Sequence, residues 1–204
     1  NLEIINTSAF YNCSSLSTVN FTNCTSLQTI SNEAFSQCHK LSNVDFTNCS
    51  SLELIGDQAF KDCSALESVD FTDCSSLQTI AERAFRSCQN LSTLNFTNCS
   101  SLIYGSFHDE VFLDSSNIKT VNITNSGLNS ELTDAELDNK FKKSGNTNNI
   151  EYIGNVFSMR LYDLNNTFLY NISDIDVKTT SYSSLYKKNI YYIRGGSILQ
   201  TIDT

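Results

Sequence analysis

The chain has 204 residues, a net charge of −9, no proline or tryptophan, and eight cysteines. It contains no run of the roughly 18 to 20 apolar residues that a membrane-spanning helix needs, so direct membrane insertion is not expected. With 13 basic against 22 acidic residues it offers no basic face to neutralise phosphates, so nucleic acid is not an expected partner.

Four stretches at the start of the chain repeat with a constant period of about 25 residues, a length typical of solenoid proteins. Each unit reads AFxxCxxLxxVxFxxCxSLxxI, and the first runs from Ala9 to Ile30. A fixed period of this size predicts a solenoid, because each coil can bury its apolar side only against its neighbours. Leu2 and Ile5 stand in the columns of Leu27 and Ile30, so the chain opens in mid-coil, and we interpret it as a mature or excised piece of a longer protein.

Each repeat contains one segment with strand character and one with helical character. The segment Leu16–Phe21 alternates apolar with polar residues, which predicts a short strand with Val19 and Phe21 inward. Stacked coils would join these strands into a parallel β-sheet. An acidic residue just ahead of Ala-Phe favours a short helical turn on the opposite face. These predicted turns are Ser31–Phe35, Gly56–Phe60 and Ala81–Phe85.

The repeat weakens after residue 102. A fifth coil follows a two-residue insertion and occupies the repeat columns with Val111, Phe112, Ser115, Ile118, Val121, Ile123 and Ser126. We therefore predict a solenoid over residues 1–128 and an inserted helix and loop over residues 129–149, with Thr133 as the helix N-cap. Residues 150–204 are predicted to form divergent repeats or a β-rich cap. Leu199–Thr204 has the repeat phase of Leu2–Thr7, so the two chain ends could abut as consecutive coils.

The string AFxxCxxLxxVxF, as in Ala34 to Phe46, resembles the BspA-type leucine-rich repeat. The resemblance covers residues 2–102 and extends to about residue 128. The repeat unit of this chain is longer than that of the family, and Phe46–Leu52 stands where the family has a shorter link that contains proline. The resemblance implies a leucine-rich-repeat solenoid, an extracellular or cell-surface location, and adhesion or host-matrix binding rather than catalysis. It supplies no binding residues.

All eight cysteines lie in two columns of the repeat. Residues of one column would sit about 4.8 Å apart with parallel side chains, whereas a disulfide needs β-carbons that converge to about 3.8 Å. We therefore expect no disulfides and interpret the cysteines as small buried hydrophobic residues. These expected buried thiols are Cys13, Cys24, Cys38, Cys49, Cys63, Cys74, Cys88 and Cys99.

No metal, cofactor or catalytic site is expected. There is no CxxC motif, and His39 and His108 fit no metal-ligand spacing. His39 adjoins Cys38, but a Cys-His pair needs an exposed thiol opposite the imidazole, and Cys38 belongs to the expected core. The sequence therefore does not predict an enzyme.

The outward positions of the predicted strands form polar rows, which are either a solvated surface or a recognition surface. The first row is Thr18, Asn43, Ser68 and Thr93. The rows chosen as the candidate binding face are Asn20, Asp45, Asp70, Asn95 and Asn122, with Thr22, Thr47, Thr72, Thr97 and Thr124.

Eleven Asn-x-Ser/Thr sequons make N-glycosylation a further expectation, although a repeat multiplies them automatically. They begin at Asn6, Asn12, Asn20, Asn23, Asn48, Asn90, Asn95, Asn98, Asn122, Asn165 and Asn171.

The leading hypothesis is an extracellular recognition or adhesion module that binds a protein or glycan ligand through the polar sheet face. The alternative is a structural subunit whose copies stack end to end into a glycosylated fibril or surface layer. A second alternative is an intracellular scaffold.

Overall fold

The computed structural model describes residues 2–129, 134–142, 146, 148 and 150–154, together with the backbone of four strands between residues 159 and 199. The chain divides into two compact units, Asn1–Gly154 and Asn155–Thr204. Residues 150–154, which the sequence groups with the C-terminal segment, belong to the first unit.

The coils of the first unit contribute short strands to two parallel sheets. In chain order these strands are β1 (Ile4–Ile5), β2 (Thr18–Asn20), β3 (Thr29–Ile30), β4 (Asn43–Asp45), β5 (Leu54–Ile55), β6 (Ser68–Asp70), β7 (Thr79–Ile80), β8 (Thr93–Asn95), β9 (Thr120–Asn122) and β10 (Glu151–Ile153). The larger sheet has the order β10-β9-β8-β6-β4-β2 and the smaller one β1-β3-β5-β7. The predicted parallel sheet is thus confirmed as the larger one, and the smaller sheet was not predicted.

The core consists of identical side chains stacked from coil to coil. Beyond the first coil, the columns of Phe60, Cys63 and Leu66 are fully buried. Nine phenylalanines form two stacked ladders through this core. One ladder is Phe10, Phe35, Phe60, Phe85 and Phe112, with ring centroids 5.0 to 5.7 Å apart, and the other is Phe21, Phe46, Phe71 and Phe96, at 5.2 to 5.3 Å. Such pairs contribute about 0.5 to 1.5 kcal/mol each beyond their buried area.

The segments predicted as helical turns are turns of another kind. Glu33, Gln58 and Arg83 have φ angles of 54°, 54° and 55°, in the left-handed region that interrupts a right-handed helix. The backbone N–H of Glu33 donates to the carbonyl of Asp57 in the next coil, 2.9 Å away, and not to the residue four positions back. Bonds between coils therefore alternate with local turn bonds on this side of the solenoid, as in the bond from the N–H of Ser36 to the carbonyl of Glu33 at 3.1 Å.

The predicted fifth coil is confirmed. Val111, Phe112, Ile118 and Val121 are buried, and β9 pairs with both β8 and β10. A 3-10 helix at Tyr104–Ser106 lies in the coil that carries the two-residue insertion.

The predicted inserted helix is also confirmed, as α1 (Asp134–Phe141), although the proposed N-cap Thr133 lies outside the described residues. Phe141 is fully buried, and its ring centroid lies 5.3 Å from that of Phe112 and 6.4 Å from that of Phe96. Both phenylalanine ladders therefore end against α1, which covers the core at this end.

The described part of the second unit consists of two antiparallel strand pairs. The strand β11 (Met159–Tyr162) pairs with β12 (Phe168–Ile172), and β13 (Tyr191–Ile193) pairs with β14 (Ser197–Leu199). These described strands pair antiparallel, unlike the parallel strands of the coils in the first unit, and the choice between divergent repeats and a β-rich cap stays a prediction. The predicted phase match at Leu199–Thr204 falls mostly outside the described residues, and Leu199 itself ends β14.

Candidate binding face and cysteine columns

The structure brings the ten residues of the candidate binding face together. The strand-end residues pair side by side in the larger sheet, as in Asn20 with Asp45, Asp45 with Asp70, and Asn95 with Asn122. Each of the five threonines follows its strand-end residue by two positions. All ten side chains are half-buried except that of Asn20, which is exposed.

Every strand-end residue closes a turn with the threonine that follows it. Its side-chain oxygen accepts a hydrogen bond from the threonine backbone N–H, which is the geometry of an Asx turn. The N···O distances are 2.7 Å at Asn20, 2.8 Å at Asp45, 2.8 Å at Asp70, 3.1 Å at Asn95 and 3.0 Å at Asn122. The sequence contains this signal as Asn/Asp-x-Thr, but the sequence analysis interpreted it as a solvated or recognition row and as sequons, and not as a turn.

Further hydrogen bonds link these side chains across coils. The hydroxyl of Thr22 donates to Oδ2 of Asp45 at 3.0 Å. The amide of Asn95 donates to Oδ2 of Asp70 at 3.2 Å and to Oγ1 of Thr72 at 2.9 Å. The face is therefore a network of ordered side chains rather than a set of independent ones.

The face is acidic, with Asp45 and Asp70 side by side on neighbouring strands. Partial burial acts to raise the pKa of Asp45, but hydrogen bonds from the side chain and backbone of Thr47 and from the Thr22 hydroxyl outweigh it, so the pKa lies below its ordinary value. The Asp45 carboxylate is therefore ionised at neutral pH.

The structure gives most described sequons a role in the fold. Asn20, Asn95 and Asn122 form the Asx turns, and Asp45 and Asp70, which are not sequons, form the same turn in the same column. This turn accounts for the recurrence of Asn-x-Thr without glycosylation.

A second group of sequons coincides with left-handed backbone, a conformation that asparagine tolerates better than most residues. These are Asn12, Asn23, Asn48 and Asn98, with φ angles of 55°, 63°, 62° and 61°. Asn6 and Asn90 belong to neither group, and both are exposed. Asn165 lies outside the described residues, and of Asn171 only the backbone, in β12, is described.

All eight cysteines are free thiols; six are buried, and Cys13 and Cys24 in the first coil are half-buried. Each of the six buried thiols donates a hydrogen bond to a phenylalanine carbonyl of the preceding coil, as from Cys63 to Phe35 at 3.2 Å. The equivalent bonds of Cys38, Cys49, Cys74, Cys88 and Cys99 are 3.0 to 3.2 Å long. In the fifth coil Ser115 replaces cysteine and its hydroxyl makes the same bond, to Phe85 at 2.7 Å.

Burial makes these thiols poor nucleophiles. It is the largest cause of the raised pKa of Cys49 and Cys99, each about 12, and it also raises the pKa of Cys63 and Cys74. The pKa of Cys38 is likewise raised by burial, and its neighbour His39 is exposed, with Nδ1 2.9 Å from the carbonyl of Asp62. Cys38 and His39 therefore do not form a thiolate–imidazole pair.

No group of three or more potential metal-ligating side chains occurs among the described residues. Within the same part of the chain, no helix is long and apolar enough to cross a membrane.

Comparison with known proteins supports the repeat architecture. The family described as BspA type Leucine rich repeat region matches residues 1–119 in six copies. No curated protein matches the chain. A leucine-rich repeat protein of Bacteroides ovatus aligns with a TM-score of 0.50 at 24% identity, over 74% of this chain and 40% of that one, and shows the fold alone. The leucine-rich repeat protein TpLRR of T. pallidum aligns at 27% identity with a TM-score of 0.49, over 76% of this chain and 69% of that one.

Repeat solenoids of this kind are generally scaffolds that present extended surfaces for binding other proteins. The repeat columns, the parallel sheet and the family match over residues 1–119 agree. The chain belongs to the BspA-type leucine-rich repeat family.

Proposed function

We propose that this chain is a non-enzymatic recognition or adhesion module of the cell surface or extracellular space, and that it binds protein or glycan ligands through its larger sheet. The observation that carries the proposal is the hydrogen-bond network on the outward face of that sheet, exemplified by Asp45, Asp70 and Asn95. Side chains that are already ordered lose little rotamer freedom when a ligand binds, so the entropic cost of association is low.

The charge of the face indicates what kind of ligand suits it. Asp45 and Asp70 lie at its centre, and Asp73 follows directly after Thr72 of the same face. A partner that presents N–H donors or positive charge would complement these carboxylates. We therefore favour a protein ligand with a basic or amide-rich surface over an acidic glycan.

The chemistry of the thiols is compatible with an extracellular location. The thiolate is the species that oxidises readily, and burial holds six of the eight cysteines in the thiol form. Free thiols are also the usual state of cysteine in reducing compartments, which favours an intracellular scaffold as the second candidate. The binding face would be the same in both settings.

The fibril hypothesis receives less support. Stacking of core on core needs an uncovered core at both ends of the solenoid. In the described part of the first unit, α1 covers the core at one end with Phe141. We therefore do not include fibril formation or glycan attachment in the proposal.

Two pairs of charge substitutions test the face. Asn43 and Thr93 are exposed on β4 and β8 of the larger sheet, and Gln28 and Gln78 are exposed beside β3 and β7 of the smaller sheet. We expect Asn43→Lys with Thr93→Lys to abolish binding to any ligand found in a panel of purified surface and matrix proteins and a glycan array. The matched pair Gln28→Lys with Gln78→Lys adds the same charge at the same spacing and should leave binding unchanged, as measured by biolayer interferometry.

Loss of binding in the second pair but not in the first would move the site to the other sheet and contradict the proposal. Fractionation of the source cells, with intact-mass analysis of the recovered protein, separates the two candidate locations. A surface or secreted protein supports the first candidate, and a cytosolic protein supports the scaffold.

A further inference from the structure

The fourth coil (residues 77–101) contains three sequons, which begin at Asn90, Asn95 and Asn98. The fold uses asparagine at two of them, since Asn95 closes an Asx turn and Asn98 has a left-handed φ angle of 61°. In the other coils, the position of Asn90 is occupied by unrelated residues, which are Ser15, Lys40, Ala65 and Asn117. The fold therefore does not require asparagine at position 90.

Asn90 is exposed on a short loop between two core residues. Cys88 and Leu91 are fully buried, so the core holds both sides of the loop in place. The strand that follows, β8, pairs with β6 and β9, so the exposure of Asn90 does not depend on where the chain begins. Among the described residues, no hydrogen bond engages its side-chain amide. A surface loop with a free amide is a setting in which a sequon can carry a glycan.

The side-chain amides of the other two sequons are engaged in hydrogen bonds between coils. Nδ2 of Asn95 donates to Oδ2 of Asp70 at 3.2 Å and to Oγ1 of Thr72 at 2.9 Å, which uses both of its hydrogens. Nδ2 of Asn98 donates to Oδ1 of Asp73 at 2.7 Å. An N-linked glycan replaces one hydrogen on Nδ2 and is bulky, so at these two half-buried residues it would disturb the contacts between coils.

We propose that Asn90 is the acceptor of an N-linked glycan in the fourth coil, and that Asn95 and Asn98 stay unmodified. A bond forms between Nδ2 of Asn90 and C1 of the first sugar of an oligosaccharide diphosphate donor. The bond from that C1 to the diphosphate oxygen breaks, the diphosphate leaves, and Nδ2 loses one proton. The inference rests on the extracellular location in the proposed function, because sequons are glycosylated in secreted proteins.

The place of Asn90 in the coil is compatible with ligand binding by the larger sheet. Asn90 precedes the start of β8, whereas Asn95 lies at its end. A glycan on Asn90 is therefore attached at the edge of the sheet opposite to the Asx turns, and it leaves the candidate binding face open.

Two serine substitutions in the 204-residue chain, secreted from cultured cells that N-glycosylate proteins, test this selection. Ser92→Ala removes the sequon of Asn90, and Ser100→Ala removes that of Asn98. The two are structurally matched, because the hydroxyls of Ser92 and Ser100 each donate to a carbonyl of the preceding coil, at 3.2 and 3.3 Å. We expect Ser92→Ala to lower the intact mass by one whole glycan and Ser100→Ala to leave the glycan mass unchanged.

Peptide mapping after enzymatic removal of glycans identifies each occupied asparagine directly, because the enzyme converts it to aspartate. An unmodified Asn90 would overturn the inference. Occupancy of Asn95 or Asn98 equal to that of Asn90 would also overturn it, because it would show that the contacts between coils do not select the site.

The same mapping of protein recovered from the source cells separates this inference from the proposed function. A surface or secreted protein with a glycan on Asn90 supports both. A surface protein with an unmodified Asn90 overturns the inference and leaves the proposed function intact. A cytosolic protein overturns the proposed location and, with it, the modification.

Discussion

The first coil (residues 2–26) and the third coil (residues 52–76) have nearly the same pattern of residues but different surroundings. Cys63 and Leu66 of the third coil are fully buried, whereas Cys13 and Leu16 of the first coil are only half-buried. Among the described residues, the third coil has a neighbouring coil on both sides and the first has one. Stability in this solenoid therefore depends on the interfaces between coils as much as on the sequence of each coil.

The largest expected difference between the two coils is in thiol reactivity. Cys13 and Cys24 should react with a thiol reagent in the native protein at pH 8, and the six buried cysteines should react slower by orders of magnitude, since they need local unfolding. Mass spectrometry after timed labelling measures each site. Equal labelling of Cys63 and Cys13 would contradict the difference in burial.

Removal of a phenylalanine ring should also distinguish the coils. Phe60→Ala leaves a cavity between two stacked rings and should lower the free energy of unfolding by about 3 to 5 kcal/mol. Phe10→Ala should cost clearly less, because Phe10 is already 38% exposed and stacks on one ring only. Urea titration at a concentration where the chain is monomeric compares the two variants. Equal losses in the free energy of unfolding would show that a second neighbouring coil does not add to the stability of a phenylalanine ring.

The Asx turns of the larger sheet should have a smaller effect. Asp70→Ala removes the acceptor for the Thr72 backbone and hydroxyl and for the Asn95 amide, and should cost about 1 to 2 kcal/mol. Asp70→Asn keeps the Oδ1 acceptor, as Asn95 and Asn122 do in the same column, and should retain most of that stability. If both substitutions lower the free energy of unfolding by the same amount, the turn does not explain why Asn or Asp occupies this position in every coil.

The smallest expected effect is a pH dependence at Asp45. Its pKa in the folded protein is below the ordinary value of 3.8, so the carboxylate stabilises the fold at pH values above that, and the contribution disappears as the pH falls through the folded pKa. Asp45→Asn should therefore reduce the loss of stability in acid. Thermal melts of the unsubstituted protein and of Asp45→Asn between pH 7 and pH 2 measure this difference. If the melting temperatures of the two proteins fall in parallel as the pH is lowered, the effect is excluded.

The sequence predicts the solenoid because Phe, Leu and Cys recur at one fixed interval, which leaves one arrangement for the core. It does not predict the smaller sheet, because strands as short as Thr29–Ile30 cannot show alternation. The left-handed turns were missed for another reason. The conformation of Glu33 depends on its hydrogen bond to Asp57 in the next coil, and not on local helix preference.

The candidate face was predictable as a set of positions but not as a network. Outward rows follow from strand alternation, so Asn20, Asp45 and Asp70 could be placed on one face. The bonds that join them depend on the rotamers of neighbouring coils, as in the contact of Thr22 with Asp45, and these cannot be inferred from spacing.

Hydrogen–deuterium exchange tests the dependence on neighbouring coils most directly. The N–H groups of Phe10 and Phe60 make equivalent bonds, each 2.8 Å long, to the next coil, so a difference in their protection reports the surroundings and not the bond. At concentrations where the chain is monomeric, we expect the amides of the first coil to exchange much faster than those of the third. Equal protection in both coils would contradict the account.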